Sequence, residues 1–381
     1  MEKRLLAVCV MTYRHPDTVR IILNKWFELI KLFDFDLYYF DSSDDNKTEE
    51  IVNVFREKSD HIFYIKIGSD ITPDEKFLLP FDRDYLSYKY RYLWPIKDRS
   101  VPNYALMTTI LARLNAECDV IEIPCKYPDC SYRFPDIPNN ITKEEFYRDY
   151  SWSATDLYAT IYNYDTILSH FDANTIKERY FDEDGRYECC FPHFVTLFHY
   201  LAEISNPDIE IVNLSGGKKI LSTNTSSGWR DDNTGMLIFG DYWQRVNDAL
   251  PSVYNKYKRD AVRKETNLGV LFGSVDGLIG LGFHKDENRE LAGKMLSHWC
   301  DYSDVPENVA RDMTKSIFST AYDFFIDKFT EYYSKGDRFS LGFFCVNNSW
   351  ILSNTDFLNS DRLKTIYTEA VDFYCQLSGM Q

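Results

Sequence analysis

Short apolar runs alternate with amphipathic segments along the first 125 residues. The first run, Leu5–Met11, is continuously apolar, which is typical of a strand covered on both faces of a sheet. Residues 17–33 follow it with apolar side chains at helical spacing, so they predict a helix that packs against that sheet. Further strands are predicted at residues 37–40, 62–67, 90–100 and 119–123. This β-α-β-α order predicts an α/β fold with a mostly parallel central sheet flanked by helices.

The alternation loosens after residue 124. Residues 126–140 contain three prolines and predict an ordered loop over the sheet edge. Helices are predicted after Tyr164 and over 187–204, and a short strand over 209–212. Residues 215–228 are rich in glycine and serine, and we interpret them as a mobile flap over an active site or, equally, as a plain surface loop.

Helical spacing dominates from residue 241 onward, which predicts a mainly helical C-terminal region. Pro251 is expected to kink or divide the first of these segments. A long apolar stripe follows at helical spacing and comprises Val309, Met313, Ile317, Ala321, Phe325, Phe329 and Tyr332. Such a stripe is most often part of a core, and the alternative is an interface in a homodimer.

Composition narrows the classes of partner. The 381 residues give length for two domains, and a hydrophobic content of 44% supports a core. The formal net charge of -16 repels nucleic acid and anionic bilayers, although a local basic pocket for a diphosphate is compatible with it. The N-terminal residues lack the pattern of a signal peptide, no apolar run approaches the roughly 20 residues of a membrane span, and the nine cysteines are an odd, scattered set. We therefore expect a soluble cytoplasmic protein, or one bound peripherally at the inner face of a membrane, without nucleic acid as a partner.

Three consecutive charged residues, Lys97, Asp98 and Arg99, end the apolar run that begins at Tyr90. Ligands of open α/β sheets bind outside the carboxyl ends of the strands, so this cluster is well placed to meet a polar, phosphorylated ligand. The alternative is a strand that simply ends in a solvated turn.

Three strand ends together resemble a known family. The first strand ends in Thr12-Tyr13-Arg14, the second in Asp41-Ser42-Ser43-Asp44-Asp45-Asn46-Lys47-Thr48, and the fourth in the charged cluster. They resemble the nucleotide-sugar-binding half of a family 2 type glycosyltransferase with the Rossmann-like GT-A fold. The resemblance covers residues 1–125 and fades by about residue 235. It implies a GT-A domain over 1–238, divided into a nucleotide-sugar half (1–125) and an acceptor half (126–238), and a helical region over 239–381.

The resemblance implies transfer of a sugar from a nucleotide diphosphate donor, with a UDP-sugar favoured, to a hydroxyl of a glycan or lipid-linked glycan. Inversion is expected, and no organic cofactor. The residues implied in binding the nucleotide sugar are Thr12, Tyr13, Arg14, Asp41, Ser43, Lys97, Asp98 and Arg99. Among them, Asp41 is expected to accept hydrogen bonds from the base or ribose, because a carboxylate accepts two in a fixed plane.

This chain departs from the family at the end of the fourth strand. Members usually place an Asp-x-Asp pair there, which binds Mn or Mg across the diphosphate, whereas this chain keeps only Asp98 between two cations. One interpretation is that Mn or Mg is held by Asp98 together with diphosphate oxygens, because Mg leans on substrate phosphates. The other is that Lys97 or Arg99 neutralises the leaving diphosphate in place of a metal.

An inverting transfer needs a general base near the acceptor. The acidic pair that family members carry at the start of a helix in the second half is not recognisable around Cys189–His193. The candidate catalytic residues are Asp156, Glu188 and His193. The candidate contacts to sugar, acceptor or diphosphate are Trp152, Trp229 and Arg230. The incomplete motifs also fit an alternative function, a catalytically silent module that acts as a partner subunit through its helical C-terminal region.

Overall fold

The structure is a computed structural model that describes residues 3–86, 89–124, 141–170, 176, 178, 180, 191–212, 218–220, 242–265, 325–347, 357 and 359–378. The chain divides into two units. The first comprises Met1–Gly228 and Tyr242–Thr266, and the second comprises Trp229–Asp241 and Asn267–Gln381.

Strands and helices alternate in the first unit, as the hydrophobic pattern predicted. Its described elements are β1 (Arg4–Thr12), α1 (Pro16–Ile30), β2 (Asp36–Asp41), α2 (Lys47–Arg56), β3 (Ile62–Lys66), α3 (Pro73–Leu78), α4 (Arg83–Leu86), β4 (Tyr90–Lys97), β5 (Ser100–Pro102), α5 (Tyr104–Leu114), β6 (Val120–Glu122), α6 (Lys143–Ala154), β7 (Thr160–Asn163), α7 (Tyr164–His170), α8 (Pro192–Glu203), β8 (Ile209–Ile211), β9 (Lys218–Ile220), α9 (Trp243–Ala249) and α10 (Asn255–Glu265). Pro80 lies in the 3-10 turn Leu79–Phe81 that ends α3. Pro251 separates α9 from α10, as expected.

A seven-stranded sheet organises the first unit, in the order β3-β2-β1-β4-β7-β6-β8. β1 lies between β2 and β4 and pairs in parallel with both, with Thr12 opposite Asp41 and Met11 opposite Lys97. The carboxyl ends of these three parallel strands therefore meet at one edge. The mostly parallel sheet with flanking helices confirms the predicted fold class.

The strand β7 was not predicted from the sequence. It is four residues long and antiparallel to both neighbours, with Leu93 of β4 opposite Tyr162 and Glu122 of β6 opposite Thr160. Because it runs in reverse, its first residues lie near the carboxyl ends of β4 and β6. The turn that precedes it therefore reaches the same edge as the end of β4.

Helix α1 covers one face of the sheet through Trp26. Its ring is fully buried and meets the rings of Phe35 and Trp94 edge-on, with centroids 5.7 and 6.0 Å apart. Its Nε1 donates to the Ser100 carbonyl oxygen at 3.2 Å, which satisfies the indole in the core and ties α1 to the turn after β4.

The described part of the second unit is helical, with helical residues 325–334 followed by α11 (Arg338–Asn347) and α12 (Asp361–Ser378). Phe325 and Phe329 of the predicted apolar stripe are buried in its core, whereas the positions at 309, 313, 317 and 321 lie outside the described residues. α9 and α10 belong to the first unit although they follow the boundary expected at residue 238, and that boundary stays a prediction.

None of the described helices combines the length and hydrophobicity that a membrane span requires. The loop predicted over 126–140 lies outside the described residues. So does the segment predicted as a flap, except at 218–220, which form strand β9 against β5.

Candidate functional site

Three loops meet at the carboxyl ends of β1, β2 and β4. Thr12 lies between them: its backbone oxygen accepts from Ser42 N at 3.3 Å, and its Oγ1 donates to Asp98 Oδ2 at 3.1 Å. The sequence separates Thr12 from Asp98 by 86 positions. The parallel pairing of β1 with both neighbours brings them together, as expected at a switch point of an open sheet.

Asp41 anchors the loop that follows β2. Its Oδ1 accepts from the backbone N and the Oγ of Ser43 at 2.9 and 2.6 Å, and its Oδ2 accepts from the hydroxyl of Tyr64 at 2.7 Å. Asp41 is 0% exposed. The expectation that this carboxylate accepts directly from a base or ribose does not fit that burial, so we assign Asp41 to the positioning of the loop.

The exposed part of this edge is the turn Tyr13–Arg14. Arg14 adopts a left-handed conformation, with φ 53°, which non-glycine residues seldom adopt and which often marks functional turns. Its backbone N donates to Ser43 Oγ at 2.7 Å, so the conformation is fixed by the neighbouring loop. Its guanidinium pairs with Asp44 and lies 5.0 Å from the centroid of the Tyr13 ring, which is 42% exposed.

Lys76 of α3 lies beneath this turn. Its Nζ donates to the Thr12 carbonyl oxygen at 3.1 Å and to Ser42 Oγ at 2.9 Å, and the residue is buried. Burial lowers the pKa of Lys76 to about 8, although Asp98 and Asp41 act in the opposite direction. A buried cation therefore joins the loops after β1 and β2.

Asp98 is buried and bound by protein donors. Besides Thr12, His15 Nδ1 lies 2.9 Å from Asp98 Oδ2. The hydrogen bond to Asp98 raises the pKa of His15, while burial, Arg99 and Lys76 act in the opposite direction. Asp98 therefore favours a positively charged His15, whose side chain is 39% exposed.

The two cations beside Asp98 differ in their partners. Lys97 Nζ lies 3.4 Å from Asp156 Oδ1 in a partly buried ion pair. Arg99 is partly buried and has no ion pair or side-chain hydrogen bond with any described residue. Arg99 is thus available to an anionic ligand, whereas Lys97 forms an ion pair with Asp156.

Two of the three predicted catalytic residues, Asp156 and His193, lie near each other. Asp156 is buried, with Oδ1 accepting from Tyr158 N at 3.1 Å in the turn before β7. His193 is 3% exposed and its Nε2 donates to the Thr155 carbonyl oxygen at 2.9 Å. Burial lowers the pKa of His193 to about 4. A buried imidazole with this pKa does not fit the role of general base for an incoming hydroxyl.

The predicted contacts to the sugar and acceptor are only partly described. Trp152 on α6 is half-buried and packs edge-on against Trp243, with ring centroids 5.4 Å apart. Glu188, Trp229 and Arg230 lie outside the described residues.

A divalent ion is the group that the resemblance implies at Asp98. Among the described residues, no cluster of three or more His, Cys, Asp or Glu side chains is arranged to hold a metal. Asp98 Oδ2 is already bonded to Thr12 and His15, and Lys76 and Arg99 place further positive charge nearby. This donor set does not fit a carboxylate-held divalent ion, because Asp98 Oδ2 is already bonded and the neighbouring cations oppose a further positive charge.

The architecture is similar to that of solved TarS structures from S. aureus. TarS 1-349 matches with a TM-score of 0.54 at 13% identity, over 87% of this chain and 92% of that chain. The same fragment in complex with UDP matches with a TM-score of 0.50 at 13% identity, over 87% of this chain and 92% of that chain. A longer TarS chain matches with a TM-score of 0.52 at 12% identity, over 82% of this chain and 54% of that chain. TarS is a glycosyltransferase with a GT-A-like fold. The chain has the GT-A fold. No protein-family model and no curated protein matches it.

Three residues at this edge of the GT-A sheet were not singled out from the sequence: His15, Tyr64 and Lys76. His15 directly follows the Thr12-Tyr13-Arg14 motif, so its position in the chain was a usable signal. Tyr64 and Lys76 come from β3 and α3 and reach sideways into the loops. Their roles depend on tertiary contacts that no local pattern encodes.

Proposed function

We propose that this chain transfers a sugar from a nucleoside diphosphate sugar to a hydroxyl group of a glycan or lipid-linked glycan, with inversion. A UDP-sugar is the favoured donor. The observation that carries the proposal is the direct joining of the loops after β1, β2 and β4 through Thr12, Ser43 and Asp98, with cations around them. The match to the fold of TarS, which has been solved with UDP, supports the same conclusion.

The Tyr13–Arg14 turn suits the nucleoside. The Tyr13 ring is exposed and braced by Arg14 and Lys76, which lie 5.0 and 5.8 Å from its centroid. An exposed ring that is held in place can stack on a base, and such stacking contributes about 1–3 kcal/mol per base.

The chemistry requires a base and a stabilised leaving group. Asp156 is the described candidate for the base, because its ion pair with Lys97 places its carboxylate at the end of β4. Glu188 is the other candidate. Cations near Asp98 would stabilise the charge that develops on the leaving diphosphate.

Calorimetry of the full chain with UDP- and GDP-sugars tests the donor site. We expect one of these donors to bind, and Tyr13→Ala to weaken it about tenfold, in line with the loss of one stacking contact. Tyr333→Ala is the matched control, because Tyr333 is 49% exposed in the second unit. Absence of binding by every nucleotide sugar, at millimolar concentration, would sink the proposal.

Transfer itself is measured by mass spectrometry of products with glycan and lipid-linked acceptors. Asp156→Asn should lower the turnover by at least about a hundredfold with little change in donor affinity, as expected for the loss of a general base. An equal loss of donor affinity in this variant would assign Asp156 to the binding of the donor instead.

A further inference from the structure

The pair His15 and Asp98 has the geometry of an oriented histidine. A carboxylate only accepts hydrogen bonds, so the 2.9 Å contact to Asp98 Oδ2 places a hydrogen on His15 Nδ1. No described residue forms a hydrogen bond with the other ring nitrogen, Nε2. The side chain is 39% exposed. Asp98 therefore fixes the orientation of the His15 ring, and Nε2 remains available to a ligand.

The charges around this pair are those of an anion site. Arg99 and Lys76 both act on His15 electrostatically, and Asp98 is the carboxylate that acts on it. Lys76 is pinned to Thr12 and Ser42, whereas Arg99 has no described partner. A diphosphate carries the opposite charge and presents several acceptor oxygens, which imidazolium and guanidinium groups bind through charge-assisted hydrogen bonds.

We propose that His15 and Arg99 bind the donor diphosphate at the position where Asp-x-Asp enzymes use a metal, and that Asp98 is a positioning residue for His15. The inference rests on the proposed function and deepens it. It departs from the sequence expectation that Asp98 holds Mn or Mg. It also assigns to His15 the contact with the diphosphate that the sequence suggested for Lys97, because Lys97 is paired with Asp156.

The reaction balances without further components. The acceptor oxygen forms a bond to the anomeric carbon, and its proton passes to the general base. The bond from that carbon to the diphosphate oxygen breaks, and its electron pair leaves with the diphosphate. The N–H groups of His15 and Arg99 offset the charge that develops on this oxygen.

The test compares UDP and GDP binding to the full chain by calorimetry, once with EDTA and once with Mn. We expect the preferred nucleotide to bind in EDTA with an affinity within about twofold of that in Mn. His15→Asn keeps a donor for Asp98 but removes Nε2, and Arg99→Gln removes the guanidinium. Each should weaken diphosphate binding about tenfold or more, which corresponds to the loss of one charged hydrogen bond.

The parent nucleoside of the preferred nucleotide, which lacks phosphate, separates a ligand contact from a structural role. Its affinity should be unchanged in His15→Asn and Arg99→Gln. His61→Asn is the matched control, since His61 Nδ1 also lies 2.9 Å from a buried aspartate, Asp36, and is 36% exposed, but it lies at the other end of the strands. This control should bind the nucleotide like the original chain.

The outcomes are distinct. Binding that needs Mn, or that is at least tenfold tighter in Mn and loses this gain in Asp98→Asn, overturns the inference and leaves the proposed function intact. Equal weakening of nucleoside and nucleotide in both variants also overturns it. Absence of any nucleotide binding with or without Mn overturns the proposed function, and the inference with it.

Discussion

Single residues at the edge of the sheet perform two separate tasks. Asp41, Asp98 and Lys76 are buried and hold the loops, whereas Tyr13 and His15 are exposed enough to meet a ligand. This division explains why a motif read from the sequence mixes both kinds of residue: the same polar side chains that shape a turn are also those that bind ligands.

The buried amine of Lys76 predicts a dependence of stability on pH. Its pKa is about 8 in the folded chain, against 10.5 as the ordinary value, so the unfolded chain binds more protons between these pH values. The free energy of unfolding therefore gains a contribution from Lys76 as pH rises from about 8 to 10.5, and loses it as pH falls through 8. For one proton, the slope of the unfolding free energy against pH is at most about 1.4 kcal/mol per pH unit.

Urea unfolding of Lys76→Met and the original chain, at pH 7 to 10, checks this. The difference in unfolding free energy between the two should change across this window. Lys31→Met, at an exposed ion pair with Glu28, should show no such change. A pH-independent difference for Lys76→Met would contradict the assigned burial effect.

The position of Asp98 beside Thr12 could be anticipated from the sequence, because the ends of neighbouring parallel strands meet at one edge. The binding of Asp98 by His15 could not, since it depends on the left-handed turn at Arg14. That turn is itself stabilised by Ser43, from another strand. Local patterns thus located the site, and tertiary contacts decided what each residue does there.

At the scale of elements, the short helix α3 carries Lys76 to the loops. Thr72 caps this helix: its Oγ1 accepts from Glu75 N at 3.2 Å, and Glu75 Oε2 accepts from Thr72 N at 3.2 Å. Such a capping box satisfies two amide groups that a six-residue helix would otherwise leave open.

Thr72→Ala is expected to destabilise α3 by about 1 kcal/mol and to weaken nucleotide binding several-fold, because Lys76 loses its fixed position. Thr142→Ala removes the same capping box from α6, with the same two contacts to Glu145. Calorimetry of both variants with UDP compares them. Equal affinities in the two variants would show that α3 has no special part in the site.

Helices α11 and α12 pack closely at Gly342. A Cβ at this position would lie 2.3 Å from the Ala370 carbonyl oxygen and 2.5 Å from Tyr374 Cβ. Gly342→Ala should therefore cost about 1–3 kcal/mol through overpacking, although alanine favours helices. At Gly68 a Cβ meets only the flexible carboxylate of Asp70, so Gly68→Ala is the control. Chemical denaturation followed by circular dichroism measures both, and similar midpoints would contradict close packing of these helices.

The sequence was informative about elements in proportion to their length and regularity. β1 was predicted to within one residue at each end, and α1 to within one residue at its start and three at its end, because a run of seven apolar residues and a stripe over four turns leave little ambiguity. β7 was missed, since four residues carry no periodicity of their own. Its pairing with β4 joins positions about 70 residues apart, and only that pairing makes it a strand.

At the scale of the molecule, the two units have separate parts in the proposal. All the described residues of the candidate site belong to the first unit, while the described part of the second unit contains a separate aromatic core of residues such as Phe325, Phe329 and Phe357. Nucleotide binding is thus expected to stabilise the first unit selectively.

Hydrogen exchange of the full chain checks this expectation. A nucleotide at 100 times its dissociation constant should protect amides of the first unit by up to about 2.7 kcal/mol, with the largest effect in the peptides around Thr12–His15 and Asp98–Ser100. Peptides from α11 and α12 provide the internal control. Equal protection of both units would argue against a nucleotide site confined to the first.

The reversed strand β7 also bears on how the chain folds while it is being synthesised. The four strands β1 to β4 are complete once residue 97 has been made, and they pair with one another. In the described sheet, β6 joins this group only through β7. The ribosome adds β7 about 40 residues after β6. We expect a nascent chain to form the four-stranded part first, with β4 as an open edge. The arrival of β7 then closes this edge and brings Asp156 beside Lys97, so the two parts of the proposed catalytic centre come together late in synthesis.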